Sequence, residues 1–128
     1  MTFHAESAKT GGKFGLIEAI ATPGSEPPLH VHQNEDEVFY LLEGKLQVRQ
    51  GDDYQIVNPG DSVFLPRDVP HTFKVLSSQA RSLIYFTPAG FEGFFREVAE
   101  VLKEATGSQY SAARMARIAQ KYGITYLT

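Results

Sequence analysis

The chain has 128 residues, 42% of them hydrophobic, with nine Phe, six Tyr, four His, no Trp and no Cys; this length suits one globular domain and not two. Without cysteine there is no disulfide framework, thiolate zinc site, cysteine nucleophile or thiolate-held iron–sulfur cluster, so any metal must be held by His and carboxylates. A net charge of -3 provides no overall cationic field, which argues against nucleic acid and an anionic membrane as partners.

The charge is unevenly spread. Residues 1–60 carry four basic and nine acidic side chains, residues 61–128 eight basic and six acidic, so a metal is best sought in the first half. The first fifteen residues mix His, Glu, Lys and Gly without the apolar stretch of a secretory leader. The longest apolar run, residues 38–42, is far too short to cross a bilayer. A soluble, cytoplasmic protein is expected.

From residue 13 to about 88, short β-branched and aromatic segments alternate with turn residues. They fall at 14–22, 29–32, 37–42, 46–50, 55–57, 62–65, 71–76 and 82–87, the close spacing of a sandwich or barrel. The breaks include Pro23-Gly24, Pro27-Pro28, Glu43-Gly44-Lys45, Gly51-Asp52-Asp53, Asn58-Pro59-Gly60 and residues 66–70. Gly supplies positive φ there and Pro removes a donor, so each break ends a strand for a local reason.

After Pro88 the period changes. Phe91, Phe94, Phe95, Val98, Ala99 and Leu102 recur at three and four residues, which predicts an amphipathic helix with Glu92, Arg96, Glu97, Glu100, Lys103 and Glu104 outside. A second helix is expected from Ser111 as N-cap, through Met115, Ile118, Ala119 and Tyr122, to Gly123 as its stop. Its polar face holds Arg114, Arg117 and Lys121 and no acid; this reads as a solvated surface in preference to an anion-binding patch.

His30-Val31-His32 places two imidazoles on one face of a strand, because residues i and i+2 project together. Glu37 shares the parity of Phe39 and Leu41, and His71 that of Phe73 and Val75. A carboxylate in the run Glu35-Asp36-Glu37 would ordinarily be solvated, and one such His would ordinarily be a hydrogen-bonded core residue. Four inward polar groups on three short strands would each need a partner. One divalent cation satisfies them together.

At these positions the chain resembles the cupins. Gly24, five residues, His30-x-His32, four residues, Glu37, six residues and Gly44 is similar to the first cupin motif. Gly60, five residues, Pro66, and His71 five residues later is similar to the second, with Asp68 where the motif usually has Gly and Val75 where it often has Asn. The stretch from Gly90-Phe91-Glu92 to Glu97, and Ala119-Gln120-Lys121-Tyr122-Gly123, resemble the C-terminal helices of small, single-domain, quercetin-dioxygenase-like cupins.

The resemblance implies one all-β domain over residues 1–128. It would be a double-stranded β-helix, or jelly roll, at about 13–88, with two C-terminal α-helices at about 89–128. His30, His32, Glu37 and His71 would hold one divalent transition metal at its mouth, and sulfur-free ligands suit Fe, Mn, Ni, Co or Zn alike. A dioxygenase acting on a small aromatic or enol substrate would use Glu37 as proton acceptor. Phe39, Leu41, Phe73 and Tyr85 would line its pocket with Phe14, Leu16, Leu46, Val48 and Phe64, and Tyr40 and Tyr85 are candidate donors. A metal-dependent isomerase or epimerase and a non-catalytic ligand-binding module are the alternatives. Metal affinity should fall on acidification through the histidine range. Outward Val38, Tyr40 and Leu42 need cover, from a homodimer partner or from the C-terminal helices.

Overall fold

The computed structural model describes residues 1–104 and 112–127. Ser111, the expected N-cap, lies outside them, and the side chains of Leu102, Lys103 and Glu104 are likewise not described. In chain order the elements are β1 (Thr2–Ala5), α1 (Ser7–Thr10), β2 (Gly15–Ala21), β3 (His30–His32), β4 (Asp36–Glu43), β5 (Leu46–Gln50), β6 (Asp53–Val57), β7 (Ser62–Leu65), β8 (His71–Val75), β9 (Ala80–Thr87), α2 (Glu92–Glu104), α3 (Ala112–Lys121) and β10 (Ile124–Tyr126). Each of the eight expected segments forms a strand, because alternation and its turn residues agree. No local pattern announces β1, α1 or β10. They are three or four residues long, and pairing with distant strands creates the two short strands.

Two five-stranded antiparallel sheets, β1-β2-β9-β4-β7 and β10-β3-β8-β5-β6, face each other as a double-stranded β-helix. Directly paired residues share a face, so the registers stack the interior in three tiers. In the first, His71 pairs with His30 and Gln50, and Glu37 with Leu65 and Phe86. In the second, Phe39 lies between Val63 and Ile84, and Val48 faces Phe73. In the third, Leu46 lies between Val57 and Val75, with Leu41 beside Ser82. Leu41, Leu46, Val57 and Phe86 are almost wholly buried, each worth about 2 kcal/mol of apolar transfer.

Two glycines are required by this packing. Gly44, which closes the first motif, has φ 92, and a Cβ there would fall 2.4 Å from the Gln79 carbonyl oxygen. At Gly15 a Cβ would fall 2.3 Å from the Phe86 ring, so the strand beside the first tier has no room for a side chain.

The chain ends reinforce the same tier. β10 pairs with β3, Ile124 opposite His32 and Tyr126 opposite His30, flanked by Gln33 N–H to Gly123 O at 2.8 Å and Leu127 N–H to Leu29 O at 2.9 Å. Phe91 packs edge-on against both Phe86, at 5.4 Å between centroids, and His32, at 4.8 Å. Glu92 corrects the expectation that it faces solvent. It is buried, accepting Ser7 N–H at 2.9 Å and Gly90 N–H at 2.7 Å. Helical periodicity could not show this, because both donors lie outside its helix. The basic face of α3 lacks acids of its own, yet Lys121 pairs with Glu97 of α2 at 2.6 Å. No helix among the described residues is long and apolar enough to cross a membrane.

Candidate metal centre

β3 is three residues long and carries its two imidazoles inward with Val31 turned away. Its neighbour β8 begins at His71, directly opposite His30, and β4 brings Glu37 from the facing sheet. The ring centroids lie 4.5 Å (His30–His71), 5.1 Å (His30–His32) and 5.3 Å (His32–His71) apart. One nitrogen from each of the three falls within 4.8 Å of the other two. The Glu37 carboxylate lies 3.2 Å from His32 Nε2 and 4.0 Å from His71 Nε2. The structure therefore brings the three imidazoles together as one group, with the Glu37 carboxylate against His32 and His71, and all four side chains are buried.

Hydrogen bonds orient the rings. His30 Nδ1 donates to the Pro28 carbonyl at 2.8 Å, and His32 Nδ1 donates to Glu35 Oε1 at 3.2 Å. Each bond places the imidazole proton on Nδ1 and leaves Nε2 as an acceptor. His32 Nε2 thus faces Glu37 Oε1, two acceptors 3.2 Å apart, and Glu37 Oε1 is buried without a hydrogen-bond partner. Orphaned buried oxygens are rare. A proton or a cation between these atoms resolves the conflict, so the donor set fits a divalent ion held by nitrogen and oxygen.

Burial also sets the protonation of the group. It lowers His30 to about 4, against the Pro28 bond, which raises it. It lowers His71 to about 3, helped by the imidazoles of His30 and His32. It raises Glu37 to about 7, with His32 opposing and Glu35 adding to the rise. Leu65 and Phe86, its two sheet neighbours, are the apolar walls responsible. Burial thus favours the neutral, metal-ligating form of His30 and His71 and the protonated form of Glu37.

The pocket candidates divide by face. Phe39 and Leu41 are buried inside, and the part-buried Phe73 meets Phe39 with ring centroids 6.0 Å apart. Leu46 and Val48 also face inward. Tyr40 and Tyr85 do not: they are 42% and 38% exposed on the outer face, as is Phe64 at 57%. Leu16 pairs with Tyr85 and shares that face, and Phe14 lies against the Tyr85 ring at 5.4 Å. Both faces of β9 are apolar, so alternation does not tell inside from outside there. The helices leave Tyr40 exposed: α3 packs on β10 and against α2, and Arg96 of α2 lies over the Phe3 ring of β1.

Three residues of the site have no sequence signal strong enough to find them. Gln50 reaches the first tier only through its register with His71, and its amide donates to Phe64 O at 3.1 Å. Glu35 is hidden in an acidic run that looks solvated, and Phe91 in a helix pattern that looks like core. Asp68, at the usual Gly of the second motif, takes the left-handed φ of 68 that Gly would adopt. Its N–H donates to His32 O at 2.8 Å. Val75 packs in the third tier opposite Leu46, where an amide would have to be buried.

Comparison with known proteins agrees with this architecture. Residues 18–86 match the family described as a cupin domain. Quercetin 2,3-dioxygenase of Bacillus subtilis (strain 168) is 29% identical over 97 residues, 75% of this chain and 28% of that enzyme. Its counterpart in Aspergillus japonicus is 29% identical over 86 residues, 63% of this chain and 25% of that one. The chain thus spans about a quarter of the length of both dioxygenases. Among solved structures, KdgF from Halomonas sp. superposes with a TM-score of 0.64 at 17% identity, covering 72% of this chain and 80% of that one.

Proposed function

That the chain belongs to the cupin family is the premise from which we propose a metal-dependent oxidoreductase of the dioxygenase type, acting on a small aromatic or enol substrate. The observation that carries the reading is the opposed pair His32 Nε2 and Glu37 Oε1, buried and 3.2 Å apart with His71 beside them. The similarity to two quercetin 2,3-dioxygenases supports the substrate class.

His30, His32, His71 and Glu37 would hold the metal. When bound, Fe, Mn, Ni, Co or Zn supplies positive charge that favours the deprotonated form of a substrate hydroxyl, and a redox-active ion among them also supplies electron transfer. The chain's own residues do the rest. Glu37, raised to about 7 by burial, is poised to take the hydroxyl proton at neutral pH. The Phe39–Phe73 pair forms an apolar floor below the ligands on the same two strands, a surface suited to an aromatic ring. Phe91 covers the edge of His32 and keeps water from it.

Oxygen uptake with flavonols and catechols, on protein loaded in turn with Fe, Mn, Ni and Co, tests the activity. Consumption of one O2 per substrate is expected. Turnover without oxygen would move the assignment to an isomerase or epimerase, and tight binding without turnover to a ligand-binding module.

The reading includes a homodimer. Leu16, Tyr85, Val38 and Phe64 pair in one row across four strands of the outer face, an apolar stripe that a second copy would cover. Sedimentation of wild type against Phe64→Glu tests it: a dimer that dissociates in the variant is expected, and a monomeric wild type overturns it.

A further inference from the structure

Three consecutive acids meet three different fates. Asp36 turns outward, accepting the Arg67 backbone N–H at 2.8 Å and pairing with its guanidinium at 3.2 Å. Glu37 enters the site from the front. Glu35, in the loop between β3 and β4, is 5% exposed, and its carboxylate lies behind His32, 3.2 Å from Nδ1. A buried carboxylate is costly unless it is paired. The bond to His32 is where this one is spent.

Resting on the metal-binding reading above, we infer that Glu35 is a positioning residue acting through His32. By accepting the Nδ1 proton it selects one tautomer and turns the Nε2 lone pair toward Glu37 and His71. The three imidazoles are then unequal donors. His30 is backed by a neutral carbonyl, that of Pro28, whereas His32 is backed by a carboxylate, which makes the other ring nitrogen more basic. Phe91 against one edge of the His32 ring and the His71 ring stacked on it, with 4° between the two planes, leave the imidazole little freedom to turn back. His32 is therefore the anchoring ligand, and a residue outside the ligand set makes it so.

The test compares wild type, Glu35→Gln and Glu35→Ala. Co(II) and Zn(II) affinities are measured by competition with a chromophoric chelator, and His32 tautomers by 15N NMR of metal-free, histidine-labelled protein. Glu35→Ala is expected to weaken metal binding by about 10–100-fold and to give His32 a mixture of tautomers. Glu35→Gln, which keeps an oxygen acceptor without its charge, is expected to retain the Nδ1–H tautomer and fall between the two in affinity. If Glu35→Ala does not fold, the tautomer and affinity of Glu35→Gln carry the test. Affinity within threefold of wild type in Glu35→Ala, equal losses in both variants, or an Nε2–H tautomer of His32 in wild type overturns the inference. A wild type that takes up neither metal overturns the metal-binding reading instead, and the tautomer still reports on Glu35.

Discussion

The first and third tiers of the barrel interior share strands β4, β5, β8 and β9 at the same parity, yet they are opposites. At one end β4 and β8 present Glu37 and His71; at the other they present Leu41 and Val75, four residues along each strand. The third tier is apolar apart from Ser82 and nearly sealed, so it contributes transfer free energy and dispersion. The first tier places three imidazoles and a carboxylate in the same dry surroundings, and Glu37 Oε1 and His71 Nδ1 have no hydrogen-bond partner. A barrel of short strands thus separates stability from chemistry along its axis, and each tier can be perturbed with a distinct readout.

The largest separation is expected from ligand removal. His71→Ala should weaken divalent metal binding by more than the ~100-fold that loss of a supporting group can cause, while the metal-free protein keeps its fold by circular dichroism. Calorimetric titration checks the first and thermal melting the second. The converse is Leu41→Ala. It should destabilise the protein by about 2–5 kcal/mol and leave metal affinity within threefold; a comparable loss of affinity would show that the tiers are coupled.

Acidity sharpens the same contrast, because the first tier holds buried groups whose protonation differs between folded and unfolded chains and the third tier holds none. His30 and His71 are lowered from 6.5 to about 4 and about 3, so their contribution is lost as pH falls below 6.5. Glu37 is raised from 4.5 to about 7, so its contribution is lost as pH rises from 4.5 toward 7. Between 4.5 and 6.5 unfolding takes up two protons and releases one, and metal-free stability should fall by about 1 kcal/mol per unit of acidification. Glu37→Gln removes the opposing proton and should steepen that slope about twofold in denaturant titrations. Metal affinity should fall about tenfold per unit as pH drops below 7, with one proton displaced from Glu37. A flat profile there would contradict its place among the ligands.

The smallest effect is expected at the turn that delivers His71. Asp68 holds φ 68, a conformation that disfavours a Cβ but that Asp tolerates better than most residues. Asp68→Gly should therefore change stability by less than about 1 kcal/mol, with strain relief offset by the freer unfolded chain. Metal affinity should be unchanged.

Much of this was legible in the residues themselves. Alternation with a turn at each break outlines eight strands, and the parities of His30, His32, Glu37 and His71 agree with the tier they share. What escaped has a common cause. Gln50 joins the site through a register, Glu35 through a loop that folds behind β3, and Glu92 through donors on two other segments. Tyr40, Phe64 and Tyr85 escaped in the other direction, since an apolar side chain carries no mark of which face of a two-faced sheet it occupies.

By itself, then, the sequence determined the class of fold and the chemistry of the ligands, because both follow from period-two patterning, turn residues and the absence of sulfur. Only the tertiary structure decided which polar groups are dry, which ring nitrogen carries a proton and which carboxylate titrates near neutrality. Those properties depend on what is packed around each atom. For Glu37 that surrounding is Leu65, Phe86 and His32, of which only His32 is near it in the chain.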